Sequence, residues 1–132
     1  MSIEITKAVY DAMVAHAQEI TPIESCGYLA GTGSKITTFY PMTNIDQSPE
    51  HFTFDPKEQF KVLKESRAAG LQLLSVYHSH PESPARLSLE DLRLLQDPEM
   101  IYIIVSLATE TADVKAFKTK EGQGYPVDIH IN

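Results

Sequence analysis

The sequence predicts an α+β fold: a mixed β-sheet of about six strands flanked by about three helices. Three observations predict it. Segments near residues 6–20 and 55–70 carry helix-start chemistry and apolar residues at helical spacing. Short apolar, β-branched runs alternate with Gly- and Pro-containing punctuation. The two kinds of segment are mixed along the chain, and consecutive strands look antiparallel.

The elements follow in order. Thr6 can cap a helix, and Val9, Met13, Ala17 and Ile20 follow at helical spacing, so residues 6–20 read as an amphipathic helix. Thr21-Pro22 ends it, because the residue before proline avoids helical geometry. Residues 27–31 form a strand, Gly31-Thr32-Gly33-Ser34 a turn, and residues 35–41 the hairpin partner. Residues 42–53 are mostly loop, ending in the strand-like patch His51-Phe52-Thr53-Phe54. Asp55-Pro56-Lys57-Glu58 starts a second helix, with Asp55 as cap, Pro56 in the first turn and Glu58 closing a capping box. Phe60, Leu63, Lys64 and Arg67 continue it to Gly70. Residues 71–79 read as a buried strand, 81–87 as a Pro-rich loop and Ser88 to about Gln96 as a short helix. Residues 101–107 make a central strand that pairs with 113–119 across a short turn. Gly122 and Gly124 turn the chain into a last strand at 126–131.

At 132 residues and 14.7 kDa the chain fits one domain, residues 1–132, large enough for a core without disulfides. Its 42% hydrophobic and 22% charged residues exclude a disordered or collagen-like chain. Eleven basic against eighteen acidic residues leave a net charge of −7, which argues against a nucleic-acid partner. The single Cys26 excludes an internal disulfide and suits a reducing compartment. There is no signal-peptide pattern at the start and no apolar run of about 20 residues, so a soluble, cytoplasmic protein with no membrane contact is expected.

Chemistry concentrates in Tyr77-His78-Ser79-His80-Pro81, followed by Ser88 and Asp91. Strand side chains alternate faces, so His78 and His80 point to the same side. Two imidazoles so placed suit a metal ion such as Zn²⁺. Asp91, in the first turn of the next helix, adds a carboxylate oxygen and leaves a fourth position for water, the pattern of a catalytic zinc. A water-activating site also needs a proton carrier, and Glu24 in Ile23-Glu24-Ser25-Cys26-Gly27 is the candidate. Ser88 and Asp91 also read as a plain capping box. The two readings compete for Asp91, because a carboxylate turned to a metal is poorly placed to return to the cap.

The pattern Glu24, then His78-Ser79-His80-Pro81, then Ser88 and Asp91, resembles the JAMM (MPN+) metalloprotease family. Cys26-Gly27-Tyr28-Leu29-Ala30-Gly31 and the stretch through Asn44, Ser48-Pro49, Phe52 and Asp55-Pro56 are similar too, so the resemblance covers nearly the whole chain. Leu87 departs from it, since many bacterial members have proline before the serine; the ligand set is untouched. The resemblance implies an MPN fold of cytidine-deaminase-like architecture and a catalytic Zn²⁺, one per chain, on His78, His80 and Asp91. It implies Glu24 as general acid/base and Ser88 as the group that steadies the oxyanion or the bound water. It further implies hydrolysis of an amide or isopeptide bond after the Gly-Gly tail of a small ubiquitin-like (β-grasp) sulfur-carrier protein. Residues 42–54 would form the lip of a groove for that tail.

Two other function classes compete. A non-catalytic MPN binding module for a ubiquitin-like partner would lack one of Glu24, His78, His80 or Asp91, and all four are present. A two-histidine, one-carboxylate set also suits non-haem iron oxygenases, but three helical segments argue against the barrel pattern many of them show. Cys26 reads as a small buried hydrophobe, His16 as structural or half-exposed, His51 as a loop-to-strand residue with substrate contact only the lesser reading, and Glu82 as surface most easily mistaken for a ligand.

Overall fold

The computed structural model describes residues Met1–Asn132. Seven strands and three helices follow in the order β1 (Ser2–Ile5), α1 (Lys7–Ile20), β2 (Cys26–Thr32), β3 (Lys35–Met42), α2 (Pro56–Ala68), β4 (Gln72–His80), α3 (Leu89–Leu94), β5 (Ile101–Ser106), β6 (Asp113–Lys120) and β7 (Gln123–Ile131). The strands hydrogen-bond in the order β1-β3-β2-β4-β5-β6-β7, and β1 closes the ring by pairing in parallel with both β3 and β7. β1 is the strand not expected from sequence. It has only four residues, so the alternation of buried Ile3 and Ile5 with exposed neighbours is too short to register as a period. The closed ring also corrects the argument against a barrel pattern, because the sheet closes with all three helices present.

Hairpin pairs β2–β3, β5–β6 and β6–β7 are antiparallel as expected, but β4 and β5 are parallel, joined by a crossover that contains α3. Both strands therefore end on the same rim, and His80 lies opposite Ser106 there.

Two apolar layers pack on the sheet. On one side Val9, Met13 and Ala17 of α1 meet Ile3, Ile5, Leu29, Ile36, Tyr77, Ile103 and Val105. On the other, Val62 of α2 meets Cys26, Tyr28, Met42, Val76 and Tyr102. Each fully buried aliphatic side chain in these layers contributes about 1.5–3 kcal/mol relative to exposure. Alternation along β4 puts Tyr77 in the first layer and Val76 in the second, so His78 and His80 continue the Val76 row.

Local chemistry starts the helices as expected at Thr6, whose hydroxyl accepts the Val9 N–H, and at Asp55, whose carboxylate accepts the Lys57 N–H. Glu58 does not close a capping box. Its carboxylate instead takes the Thr43 N–H at 2.7 Å and the Thr43 hydroxyl at 2.8 Å, tying α2 to the end of β3. The first β-turn contracts to Gly33-Ser34, and the later one falls at Glu121-Gly122, with Gly124 paired to Thr119 inside β7. α3 stops at Leu94, two residues short of its expected end. The 51–54 patch makes one bridge, Asn44 to Phe54, and no strand. No helix is long and apolar enough to cross a membrane.

Candidate metal centre

The two histidines end β4 between β2 and β5, where Cys26 and Ile104 sit beside His78. His78 is fully buried, and the Phe52 ring from the 42–54 loop stacks on it with centroids 5.0 Å apart. The His80 Nδ1–H donates to the Pro84 carbonyl at 2.8 Å, which leaves Nε2 to face the site. That carbonyl is held in turn, since the Ser106 hydroxyl donates to the adjacent Ser83 carbonyl at 2.6 Å.

Asp91 completes the group from α3. Its carboxylate oxygens lie 3.3 Å from His78 Nε2, and Oδ2 lies 3.1 Å from His80 Nε2; the two Nε2 atoms are 3.1 Å apart. Ligands arranged tetrahedrally at about 2.0–2.1 Å from a zinc ion stand about 3.3 Å from one another, so the donor set fits a divalent ion of that size. The fit is reinforced by the crowding itself: two imidazole nitrogens and a carboxylate oxygen converge on one point. Burial lowers the His78 pKa, keeping it neutral and able to act as a ligand. Burial also opposes charge on His80, but its bonds to Asp91 and Pro84 outweigh this and raise its pKa. For Asp91 burial pushes upward, and hydrogen bonds from both histidines overcome it and hold the carboxyl well below the usual range.

The capping and ligand readings of Asp91 turn out compatible. Ser88 Oγ accepts the Asp91 N–H at 3.0 Å, while Asp91 Oδ2 accepts the Ser88 N–H at 3.0 Å and still faces both imidazoles. The expected competition fails because one carboxylate oxygen accepts from two directions. Ser88 Oγ uses a lone pair for the cap, so its own hydrogen is free to donate.

Glu24 enters from the other side. It precedes β2, is 4% exposed, and shares with His80 and Ser88 the wall of a cavity of about 470 Å³. Its Oε1 is buried without a hydrogen-bond partner. Burial, aided by nearby Asp91, Glu90 and Glu50 and opposed by His80, pushes its carboxyl up to about 8. The backbone around it is pinned. Its N–H donates to the Ser48 carbonyl at 2.9 Å, its carbonyl accepts from Asn44 Nδ2 at 3.0 Å, and the next N–H, of Ser25, donates to Ser79 Oγ at 2.8 Å. A Cβ at Gly27 would lie 2.6 Å from the Tyr40 carbonyl oxygen, so glycine is what lets β2 and β3 approach there.

The five residues singled out in the sequence are thus brought to one rim. Cys26 is buried, its thiol pushed up to about 12 by burial, which suits packing and not nucleophilic attack. His51 is exposed and pairs with Asp46 at 2.9 Å. Glu82 is exposed at the cavity and outside the ligand group. Four supports carried no sequence signal as supports: Asn44, Phe52, the Pro84 carbonyl, and Tyr77, whose hydroxyl donates to Ser25 Oγ and bonds the His16 ring.

Fold and site together define a JAB/MPN-type domain, and the comparisons agree. Residues 6–120 match the family described as prokaryotic homologues of the JAB domain, and the chain belongs to that family. It is 38% identical over 98 residues to the CysO-cysteine peptidase of Mycobacterium tuberculosis, covering 73% of this chain and 67% of the relative. It is 31% identical over 120 residues to a probable TtuB-protein conjugate cleaving protease of Thermus thermophilus, covering 90% and 77%. The solution structure of DSY2949 from Desulfitobacterium hafniense superposes with a TM-score of 0.89 at 41% identity, over 98% of this chain and 92% of that one.

Proposed function

We propose that this chain, with residues 1–132 as one catalytic domain, is a zinc peptidase. It hydrolyses the amide or isopeptide bond after the C-terminal Gly-Gly of a small ubiquitin-like sulfur-carrier protein. The observation that carries the reading is the convergence of His78, His80 and Asp91 beside a buried, partnerless Glu24 carboxyl.

His78, His80 and Asp91 would hold one zinc. When bound there, zinc lowers the pKa of water toward neutrality and polarises a carbonyl oxygen. Glu24 takes a proton from the attacking water and delivers it to the leaving nitrogen, a task its raised pKa and buried position suit. The free Ser88 hydroxyl hydrogen donates to the oxygen that gains charge. Asp91, locked by Ser88, keeps α3 and the ligand set in register. A Gly-Gly tail has no side chains and suits a narrow approach past the 42–54 loop. Support for the substrate class comes from the relatives, one named for a cysteine adduct of CysO and one for TtuB-protein conjugates. A free, buried Cys26 fits a cytoplasmic setting.

The test is metal content and cleavage together. Protein purified without chelator should carry about one zinc per chain and release a carrier from a Gly-Gly conjugate. Glu24→Gln should keep the metal and lose the cleavage. Wild-type protein that takes up no zinc, or takes it up and cleaves no Gly-Gly conjugate, refutes the reading.

A further inference from the structure

We infer that Glu50 and Glu82 select the leaving group, so that the site prefers conjugates released from a protein lysine side chain over adducts of a free amino acid. The inference rests on the peptidase reading and deepens it.

The cavity beside the ligand set has Glu24, Glu50 and Glu82 in its wall and no Lys or Arg. Glu24 is the group that hands a proton to the departing nitrogen, and its Oε1 is buried and unpartnered in that wall. The leaving group therefore occupies this cavity. Arg86 lines the adjoining cavity, which shares His80, Ser83 and Ser88 with this one, on the side away from Glu24, Glu50 and Glu82. His51, adjacent to Glu50, is engaged by Asp46 at 2.9 Å, and neither Glu50 nor Glu82 forms an ion pair. A divalent ion on the histidines adds positive charge to the floor of the site, balanced in part by Asp91. The outer wall keeps its two carboxylates.

Hydrolysis breaks the C–N bond, joins a water oxygen to the carbonyl carbon and transfers a proton to nitrogen, which leaves as an amine and becomes an ammonium ion. Carboxylates around that nitrogen favour the ammonium form. A lysine side chain brings only this nitrogen and a methylene stem. A free amino acid brings its own carboxylate, one carbon from the nitrogen, into a cavity already holding Glu50 and Glu82. Like charges sharing one cavity oppose binding of that conjugate and so lower its kcat/KM.

Three conjugates of one β-grasp carrier ending in Gly-Gly test this. They differ in the leaving group: the ε-amine of Nα-acetyl-lysine amide, the α-amine of cysteine, and the α-amine of cysteine amide. The last two differ only in the carboxylate. The zinc-loaded protein should cleave the cysteine amide and lysine conjugates about fivefold faster in kcat/KM than the free cysteine conjugate, the effect of two solvent-screened charges. The ratio should approach one in the Glu50→Gln/Glu82→Gln variant and shrink in high salt. Equal rates for cysteine and cysteine amide in wild type overturn the inference and leave the peptidase reading standing. A preference that survives in the double variant removes Glu50 and Glu82 from the role. Cleavage of none of the three overturns the peptidase reading itself.

Discussion

The Asp91 Oδ2 that accepts the Ser88 backbone N–H at 3.0 Å is also the oxygen 3.1 Å from His80 Nε2. One atom thus caps a helix and faces the metal site. α3 is only six residues long and buries none of them, so the reciprocal cap is its main local support. Ser88→Ala should cost the helix about 1 kcal/mol and remove a hydroxyl from the cavity wall. We expect kcat to fall by about 10²–10³ with zinc retained. Asp91→Ala should lose the zinc as well. Metal analysis beside steady-state kinetics separates the two, and an S88A protein with wild-type kcat would remove the hydroxyl from the reaction.

Glu24 gives a pH signature that does not need substrate. With metal removed, its carboxyl is pushed up to about 8, above the ordinary value of 4.5. Below the ordinary value both folded and unfolded chains hold the proton, and stability is unaffected. As pH rises toward 8 the unfolded chain ionises first, so this group makes the fold progressively less stable. Glu24→Gln removes that slope. The chelated variant should be more stable than chelated wild type by about 1–2 kcal/mol near pH 8, discounted for solvent reaching the cavity, and no more stable near pH 4. Urea titrations at the two pH values check it. In the zinc-loaded variant kcat should drop by about 10²–10⁴.

Asn44 ties the 42–54 loop to the glutamate. Its amide donates to the Glu24 carbonyl at 3.0 Å and the His51 carbonyl at 2.9 Å, and its Oδ1 accepts from the Asp46 and Thr53 N–H groups. Asn44→Ala leaves these buried backbone groups to find water, at a cost of about 2 kcal/mol. Amide exchange should accelerate across residues 45–53, and KM for a carrier conjugate should rise more than kcat falls. Unchanged exchange in that segment would show that other contacts hold the loop.

What could be read from the sequence was local. His78 and His80 share a face by strand alternation, and Ser88 and Asp91 are three apart on one helix start, so spacing alone grouped them. Their meeting with Glu24 rested on the family resemblance, since nothing near Glu24 names a partner. The features not read were set by distant pairing. β1 is a strand because β3 and β7 flank it, not because four residues demand it. Glu58 abandons its capping box because Thr43 offers two donors from another element. The link from Tyr77 to Ser25 spans 52 residues and that from His16 to Tyr77 spans 61.

That last chain of side chains makes a separable prediction. The buried Tyr77 hydroxyl donates to Ser25 Oγ at 2.8 Å and accepts from His16, whose lowered pKa, caused mainly by burial, keeps it neutral. Tyr77→Phe keeps the ring volume and its edge contacts with Phe39. It strips one partner from each of the two polar groups, which should destabilise the fold by about 1–2 kcal/mol. The urea midpoint should fall with the slope of the transition unchanged, since the surface exposed on unfolding is the same. Ser25 would remain fixed to β4 by two bonds, its N–H to Ser79 Oγ and its carbonyl from the Ser79 N–H. Zinc content and kcat should therefore stay near wild type. A large loss of kcat in a folded, zinc-loaded Y77F protein would instead mean that the hydroxyl controls where Glu24 points.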